Sequence, residues 1–331
     1  MTRPRVFITR KIPSVAAELL SSQAEVEVWP GALPPDRSTL LSKVADADGL
    51  LSLLTEKIDA ELLDVGKRLR VVSNMAVGVN NIDIAAATAR GIAIGNTPGV
   101  LTESTADLTV ALLLAVARRV VESHLDAQRG LWKTWEPLGY LGLDLLGKTV
   151  GIVGLGRIGT AIAKRLHHGW EMKILYASRT PRPDAERELK GVRVSFDELL
   201  TQSDFVIAMT DLNPSTQYVF DRSAFRKMKR SAVFINSARG PLHRQEDLIA
   251  ALEAGEIFGA GLDVTDPEPP PPDDPIYRTP RLVLTPHIAS ATIETRNRMA
   301  EMAARNILAG LSGEPLPFSI NPDVVPRKTL Q

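Results

Sequence analysis

Cysteine is absent from the 331 residues. That excludes disulfides and thiolate metal sites, and it suits a reducing compartment. Charge of one sign is not in excess, since Lys+Arg and Asp+Glu each number 39. The basic surplus that marks a nucleic-acid binder is therefore missing. Long hydrophobic runs are missing too. The most apolar long stretch, Leu108 to Ala117, stops at Arg118 and Arg119, well short of the about 20 residues that a spanning helix needs. Arg10 and Lys11 end the first apolar run too early for a secretory leader. No two of the five histidines stand at metal-ligand spacing, so no catalytic metal is expected. These absences lead us to expect a soluble, cytoplasmic protein with no membrane or nucleic-acid partner.

What is present is the composition of an ordinary globular protein, 44% apolar and 24% charged. Its length suits about two domains at roughly 150 residues each. Short β-rich runs alternate with helical patterns. Val6–Thr9, Glu25–Val28, Gly49–Leu53 and Leu69–Ser73 read as strands, with helices over Ser14–Ser22 and Arg37–Val44 between them. A second series follows at Thr149–Val153, Lys173–Tyr176, Phe205–Met209, Ala232–Ile235, Gly259–Leu262 and Leu282–Leu284. Strands alternating with helices predict parallel sheets in an α/β fold. One long helix is expected over Ser104–Gln128, breaking at Gly130 into an arm with Trp132 and Trp135, and a last amphipathic helix over Ile293–Leu311. The run Asp266–Pro275 holds six prolines and is expected to be a stiff extended loop.

The strand Thr149–Val153 runs straight into Gly154-Leu155-Gly156-Arg157-Ile158-Gly159 and then into a helical pattern. This is the dinucleotide-binding turn in its required context. One glycine serves the tight turn, one the approach of a pyrophosphate and one the packing of helix on strand, with the helix N-terminus attracting the negative charge. NAD sites usually place Asp or Glu at the end of the next strand. Here Ser178, Arg179 and Thr180 follow Lys173–Tyr176 instead. A guanidinium and hydroxyls suit a 2′-phosphate, so NADPH is expected over NADH, the weaker alternative.

Hydride transfer to a carbonyl also needs a cation for the substrate, a proton donor, and a group that keeps the donor protonated. Arg239, His287 and Glu268 are the candidates. Each lies just past a strand of the second series, where open α/β sheets bind ligands. Singly, each has an ordinary reading as a solvated loop charge or a structural histidine; their joint placement singles them out. A carboxylate beside a histidine raises its pKa from about 6.5. His243, four residues after Arg239, is the reserve proton donor.

Together these residues resemble the D-isomer-specific 2-hydroxyacid dehydrogenase family, most closely its glyoxylate/hydroxypyruvate reductase branch. The resemblance spans nearly the whole chain. It runs through Val77–Asp83, Asn96–Thr102, the glycine turn, Ser237–Gly240, Ala260–Val264, Glu268-Pro269 and Pro286–Thr292. It implies two Rossmann-like parallel-sheet domains with the active site in the cleft. A flavodoxin-like substrate domain, residues 1–97 and 289–331, would be interrupted by a dinucleotide-binding domain, residues 98–288. It implies that Arg239 binds and polarises a 2-oxo acid, His287 is the acid/base and Glu268 its partner. Backbone near Val77 and Gly78 would take the substrate carboxylate, with Leu53 lining the pocket. Thr105, Ala238, Asp263 and Ala289 would contact the cofactor beside the glycine turn, Asp263 through the nicotinamide amide. A homodimer is implied, built on a helix and arm over about residues 100–147, with Trp135 reaching into the partner's pocket.

The chain also departs from the family. Ala238 stands where Ser is usual, His243-Arg244 where Val-Asp or Val-Asn is usual, Ala289 where Gly is usual, and Thr210-Asp211 where Val-Pro is usual. Phosphite dehydrogenases carry Lys where Val77 stands, and formate dehydrogenases Gln where Glu268 stands, which argues against both activities. Two alternatives stay open. One is a dehydrogenase of a bulkier 2-hydroxy acid. The other is a nucleotide-sensing interaction protein like the C-terminal-binding-protein corepressors, which keep the Arg/Glu/His set.

Overall fold

The computed structural model describes residues 3–324. The outermost parts of the expected substrate domain, residues 1–2 and 325–331, lie outside the described residues. The chain divides into two compact units. One comprises the chain up to Leu101 and again from Ala291, and the other is Thr102–Ser290.

The first unit opens with β1 (Arg5–Ile8), α1 (Val15–Ser21), β2 (Glu25–Val28), α2 (Arg37–Ala45) and β3 (Gly49–Ser52). It continues with α3 (Ala60–Val65), β4 (Val71–Asn74), α4 (Ile84–Ala89) and β5 (Ala93–Gly95). The second unit begins with α5 (Thr102–Ala117), α6 (Val120–Gln128), β6 (Thr149–Val153), α7 (Arg157–Trp170), β7 (Lys173–Ala177) and α8 (Pro183–Leu189). Then come β8 (Val192–Arg193), α9 (Phe196–Gln202), β9 (Phe205–Ala208), α10 (Arg222–Lys227), β10 (Val233–Asn236), α11 (Gln245–Glu253), β11 (Gly259–Leu262) and β12 (Leu282–Leu284). The helix α12 (Ile293–Ser312) belongs to the first unit. Four short helices start on an Asp (Asp36, Asp59, Asp83, Asp221) whose side chain accepts a first-turn N–H, which satisfies one otherwise orphaned donor.

In the first unit all strands pair parallel in the order β2-β1-β3-β4-β5, which is flavodoxin-like. Side chains alternate across this sheet. Val6, Ile8, Leu51, Val71 and Ala93 pack with α1 and α12 on one face. Phe7, Leu50, Val72, Ile92 and Ile94 pack with α2 and α3 on the other. A parallel sheet covered on both faces explains why its inner strands are apolar without a polar side, while the edge strand β2 alternates Glu and Val. The chain reverses direction across the sheet between β1 and β3, and a crevice forms at such a switch, beyond the carboxyl ends of the strands.

The second unit holds a seven-stranded sheet, β12-β11-β10-β9-β6-β7-β8. Its switch falls between β6 and β9, which pair directly. One face carries α5 and α7, with Ile152, Tyr176, Ile207 and Ile235. The other carries α9, α10 and α11, with Val206, Phe225, Phe234 and Leu262.

Four expectations are corrected. The single helix over Ser104–Gln128 is two, because the N–H of Leu143 takes the carbonyl of Ala117 at 2.8 Å and Arg119 turns into the left-handed region at φ 53. The loop after β11 is bent over 266–269 rather than extended, since Glu268 folds back to accept the Thr265 N–H at 3.3 Å. Two strands were not anticipated. β5 is three residues long and is completed by a tertiary partner, Asn96 N–H to Phe318 O at 3.1 Å. β8 is two residues long and exists only through its pairing with β7.

Candidate active site

The glycine turn joins β6 to α7 at the switch of the larger sheet. Gly154 has φ +99, and a Cβ there would run into the carbonyl of Met209 on the neighbouring strand's end. At Gly159 a Cβ would strike the Gly154 carbonyl, so helix and turn are packed backbone to backbone. Gly156 differs: a Cβ there meets nothing within 4 Å. It is also the N-cap of α7 and gives that helix no side-chain cap. Leu155 is buried, Ile158 packs on the core and Arg157 is exposed. The turn is an open cradle at an uncapped helix N-terminus, which fits a pyrophosphate.

Past β7, Ser178 donates its hydroxyl to the Thr180 carbonyl at 2.6 Å. Arg179 is 86% exposed and meets Asp211 at 3.4 Å. The guanidinium of Arg193, on β8, holds the carbonyls of Ser178 (3.1 Å) and Arg179 (2.9 Å). Arg193 was not singled out from sequence because its two-residue strand has no pattern of its own.

Arg239, Glu268 and His287 follow β10, β11 and β12, three adjacent strands of one sheet. His287 Nδ1 and Glu268 Oε1 are 2.5 Å apart. An ionised Glu268 only accepts, so Nδ1 carries the proton and Nε2 faces away from the carboxylate. Burial would raise the Glu268 pKa. The hydrogen bond and charge of His287, the Thr265 N–H and the charge of Arg239 outweigh it, so the carboxyl lies below its usual value. His287 has φ 54, an uncommon conformation for a residue with a side chain. Asp263 holds that turn: its oxygens accept from Thr285 Oγ1 (2.6 Å), Ile288 N–H (2.8 Å) and Ala289 N–H (2.8 Å). Burial raises the Asp263 pKa against these bonds. Asp263 thus fixes the turn that bears His287, a task the sequence reading did not give it.

Burial also lowers the Arg239 pKa, opposed by the charge of Glu268. The one hydrogen bond its guanidinium makes among the described residues goes to the Ala238 carbonyl, at 2.6 Å, and it forms no ion pair there. Its loop is tied down by Asn236. The Asn236 amide donates to the Arg239 carbonyl (2.8 Å) and to His243 Nδ1 (3.0 Å), and it accepts from the Ala238 N–H (3.0 Å). His243 is fully buried, its Nε2 has no partner, and burial pushes its pKa down to about 4. The reserve role of proton donor is therefore withdrawn from His243. Thr105 is buried on α5, and its carbonyl accepts from Thr109, whose hydroxyl meets that of Ser237 at 2.6 Å.

Leu53, Val77 and Gly78 belong to the other unit. Leu53 follows β3, and Val77 and Gly78 lie in the turn after β4. Trp135 is 81% exposed in the arm, with Leu131, Trp132, Leu138, Leu141 and Leu146 also exposed, and α6 buries no residue. Among the described residues no three His, Asp or Glu side chains are grouped to hold a metal, and no helix is long and apolar enough to cross a membrane.

A glycine-rich turn at a switch point, with Arg, Glu and His past three neighbouring strands, defines a Rossmann-type nucleotide-binding oxidoreductase. Residues 110–289 match the family model of the D-isomer specific 2-hydroxyacid dehydrogenase NAD-binding domain. The chain is 46% identical to a glyoxylate reductase from Korarchaeum cryptofilum over 98% of its length and 97% of the relative's. It is 46% identical to another from Thermococcus kodakarensis, over 98% of each. A solved protein from Thermus thermophilus superposes with a TM-score of 0.90 at 48% identity, covering 96% of this chain and 99% of that one. An NADPH-dependent glyoxylate/hydroxypyruvate reductase from Sinorhizobium meliloti, solved with NADP and malonate, superposes with a TM-score of 0.85 at 31% identity, covering 99% and 100%. The chain belongs to the D-isomer-specific 2-hydroxyacid dehydrogenase family, and within it to the glyoxylate reductase branch.

Proposed function

We propose that this protein is an NADPH-preferring reductase of small 2-oxo acids, converting glyoxylate to glycolate and hydroxypyruvate to D-glycerate. The observation that carries the proposal is the state of Arg239: a guanidinium largely removed from water, in no direct ion pair among the described residues, and feeling the charge of a Glu268 already hydrogen-bonded to His287. Such a cation is costly unless an anion comes to it. A 2-oxo acid brings both the anion and a carbonyl oxygen that gains charge on reduction. The reduced nicotinamide, when bound, supplies the hydride to C2. Arg239 binds the carboxylate and stabilises the oxygen. His287 gives its Nε2 proton to that oxygen, while Glu268 keeps the Nδ1–H in place and offsets the positive charge of the ring before transfer. Gly154 to Gly159 hold the pyrophosphate, and Thr105, Ala238, Asp263 and Ala289 contact the cofactor, Asp263 through the nicotinamide amide. Backbone N–H groups near Val77 and Gly78 take the substrate carboxylate, with Leu53 lining the pocket. On this reading the unit with the glycine turn carries the dinucleotide and the other carries the substrate.

NADPH is favoured because Ser178, Arg179 and Thr180 stand where a carboxylate would reject a 2′-phosphate. Arg193 braces their backbone, and only the weak contact to Asp211 occupies Arg179. The protein works as a cytoplasmic homodimer. The exposed apolar arm and α6 supply its interface, since a monomer rarely leaves so many large apolar side chains in water. Trp135 then sits close to the partner's substrate site.

Loss of NADPH absorbance with glyoxylate, hydroxypyruvate, pyruvate and phenylpyruvate tests the reading, with NADH in parallel. The first two acids with NADPH should give the highest kcat/KM. Faster turnover of phenylpyruvate would point to a bulkier substrate, and no turnover of any acid to an interaction protein.

A further inference from the structure

The turn after β4 has an unusual backbone. Three consecutive carbonyls are each held by the same unit: Ala76 O by the Thr97 N–H (2.9 Å), Val77 O by Asn96 Nδ2 (2.8 Å) and Gly78 O by Asn74 Nδ2 (3.0 Å). A trans peptide sets its N–H opposite its carbonyl. Tying these carbonyls inward therefore turns the N–H groups of Val77, Gly78 and Val79 the other way. None of the three has an acceptor among the described residues. Val77 is exposed and Gly78 and Val79 are half-buried, so these donors are open to a solute.

The side chains that hold the carbonyls are themselves buried, and that of Asn74 is fully engaged. Asn74 is 0% exposed. Its Oδ1 accepts from Ser52 (3.1 Å), and its second N–H goes to Asn81 Oδ1 (3.2 Å). Asn81 spends its amide on the carbonyls of Leu53 (2.9 Å) and Glu56 (2.8 Å). Glu56, 3% exposed, accepts from the Leu53 N–H (2.7 Å), from Thr9 (2.7 Å) and from Thr55 (2.5 Å). Asn96 is braced from α12, where Asn306 donates to its carbonyl at 3.0 Å. Thr9, Ser52, Asn74 and Asn96 end or follow β1, β3, β4 and β5, so the network lines the carboxyl edge of the sheet at its switch point. A buried polar network bonded this densely stiffens the backbone it holds.

We propose that Asn74, coupled through Asn81 and Glu56 to the Leu53 loop, and Asn96, braced by Asn306, are positioning residues that aim the Val77–Val79 N–H groups at the substrate carboxylate. This deepens the reading of a 2-oxo acid reductase and rests on it. The network never touches the substrate. It does for a strand-end turn what the helical backbone does at a helix N-terminus, presenting consecutive unpaired donors to an anion.

The test is Asn96→Ala, with Asn74→Ser as the second variant, each checked for a native melting transition and for NADPH affinity by fluorescence titration. KM for glyoxylate should rise about tenfold, the effect of one hydrogen bond lost to a charged group, with kcat changed far less. The readout that a merely structural role would not move is a substrate without a carboxylate: kcat/KM for glyoxal should be the same in variant and unaltered enzyme. An unchanged glyoxylate KM in a folded variant, or an equal penalty on glyoxal, overturns the positioning role. Failure of the unaltered protein to reduce any 2-oxo acid overturns the underlying reading and this role with it.

Discussion

His243 makes the acid limb of stability predictable. It sits with 0% exposure between β10 and α11, and Asn236 fixes its tautomer. The two amide hydrogens of Asn236 go to the Arg239 carbonyl and to His243 Nδ1, so Nδ1 carries the lone pair and the ring is neutral. Burial lowers its pKa from 6.5 to about 4. The unfolded chain takes up this proton below about 6.5, whereas the native protein resists until about 4. The folded state therefore loses stability as pH falls from 6.5 toward 4, and the contribution is flat above 6.5. At 1.36 kcal/mol per unit the full cost approaches about 3 kcal/mol, of which about 2 is spent by pH 5. His243→Val removes the titrating group. Guanidinium unfolding of both proteins at pH 7 and pH 5 should show the unaltered chain losing about 2 kcal/mol more than the variant. The carboxylates that also titrate are common to both and cancel in that difference. Equal acid losses would refute the buried neutral ring.

Other outcomes follow from the site. Arg239→Ala should lower kcat/KM for glyoxylate by about 10²–10³, the usual loss for one electrostatic donor to a developing oxyanion; near-normal turnover would remove the role given to Arg239. His287→Asn should flatten the pH dependence of kcat/KM, which steady-state kinetics from pH 5 to 9 would show; an unchanged profile would end its role as the acid. Arg179→Ala should raise KM for NADPH and leave KM for NADH nearly unchanged, so equal shifts in both would deny a 2′-phosphate contact. Leu138→Asp with Leu141→Asp should shift sedimentation from dimer to monomer, and a dimer that survives both charges would place the interface elsewhere.

Much of the candidate site is legible in sequence because its constraints are local. The glycine turn announces itself since Gly154 must adopt positive φ and Gly159 must leave room for a carbonyl, and no other residue type does both. Most of the ten predicted strands are apolar runs with turn residues between them, because they are buried on both faces; the edge strand β2 shows instead as a Glu-Val alternation. What fails locally depends on partners far along the chain. β5 and β8 exist only through their neighbours, and the helix after Thr102 breaks where Leu143, distant in sequence, captures a carbonyl. Asn74, Asn81 and Asn96 look like ordinary polar residues at strand ends, and nothing in their spacing shows that they share one network.

By itself the sequence determined which residues are capable of chemistry and the alternation that makes two parallel sheets, since composition and periodicity act over a few residues at a time. Tertiary structure alone decided how those residues stand: that His287 and Glu268 meet, that Arg239 makes no direct ion pair among the described residues, that His243 is sealed away, and that three N–H groups are turned outward. Burial, tautomer and hydrogen-bond direction depend on atoms brought together from distant parts of the chain, and no single segment carries them.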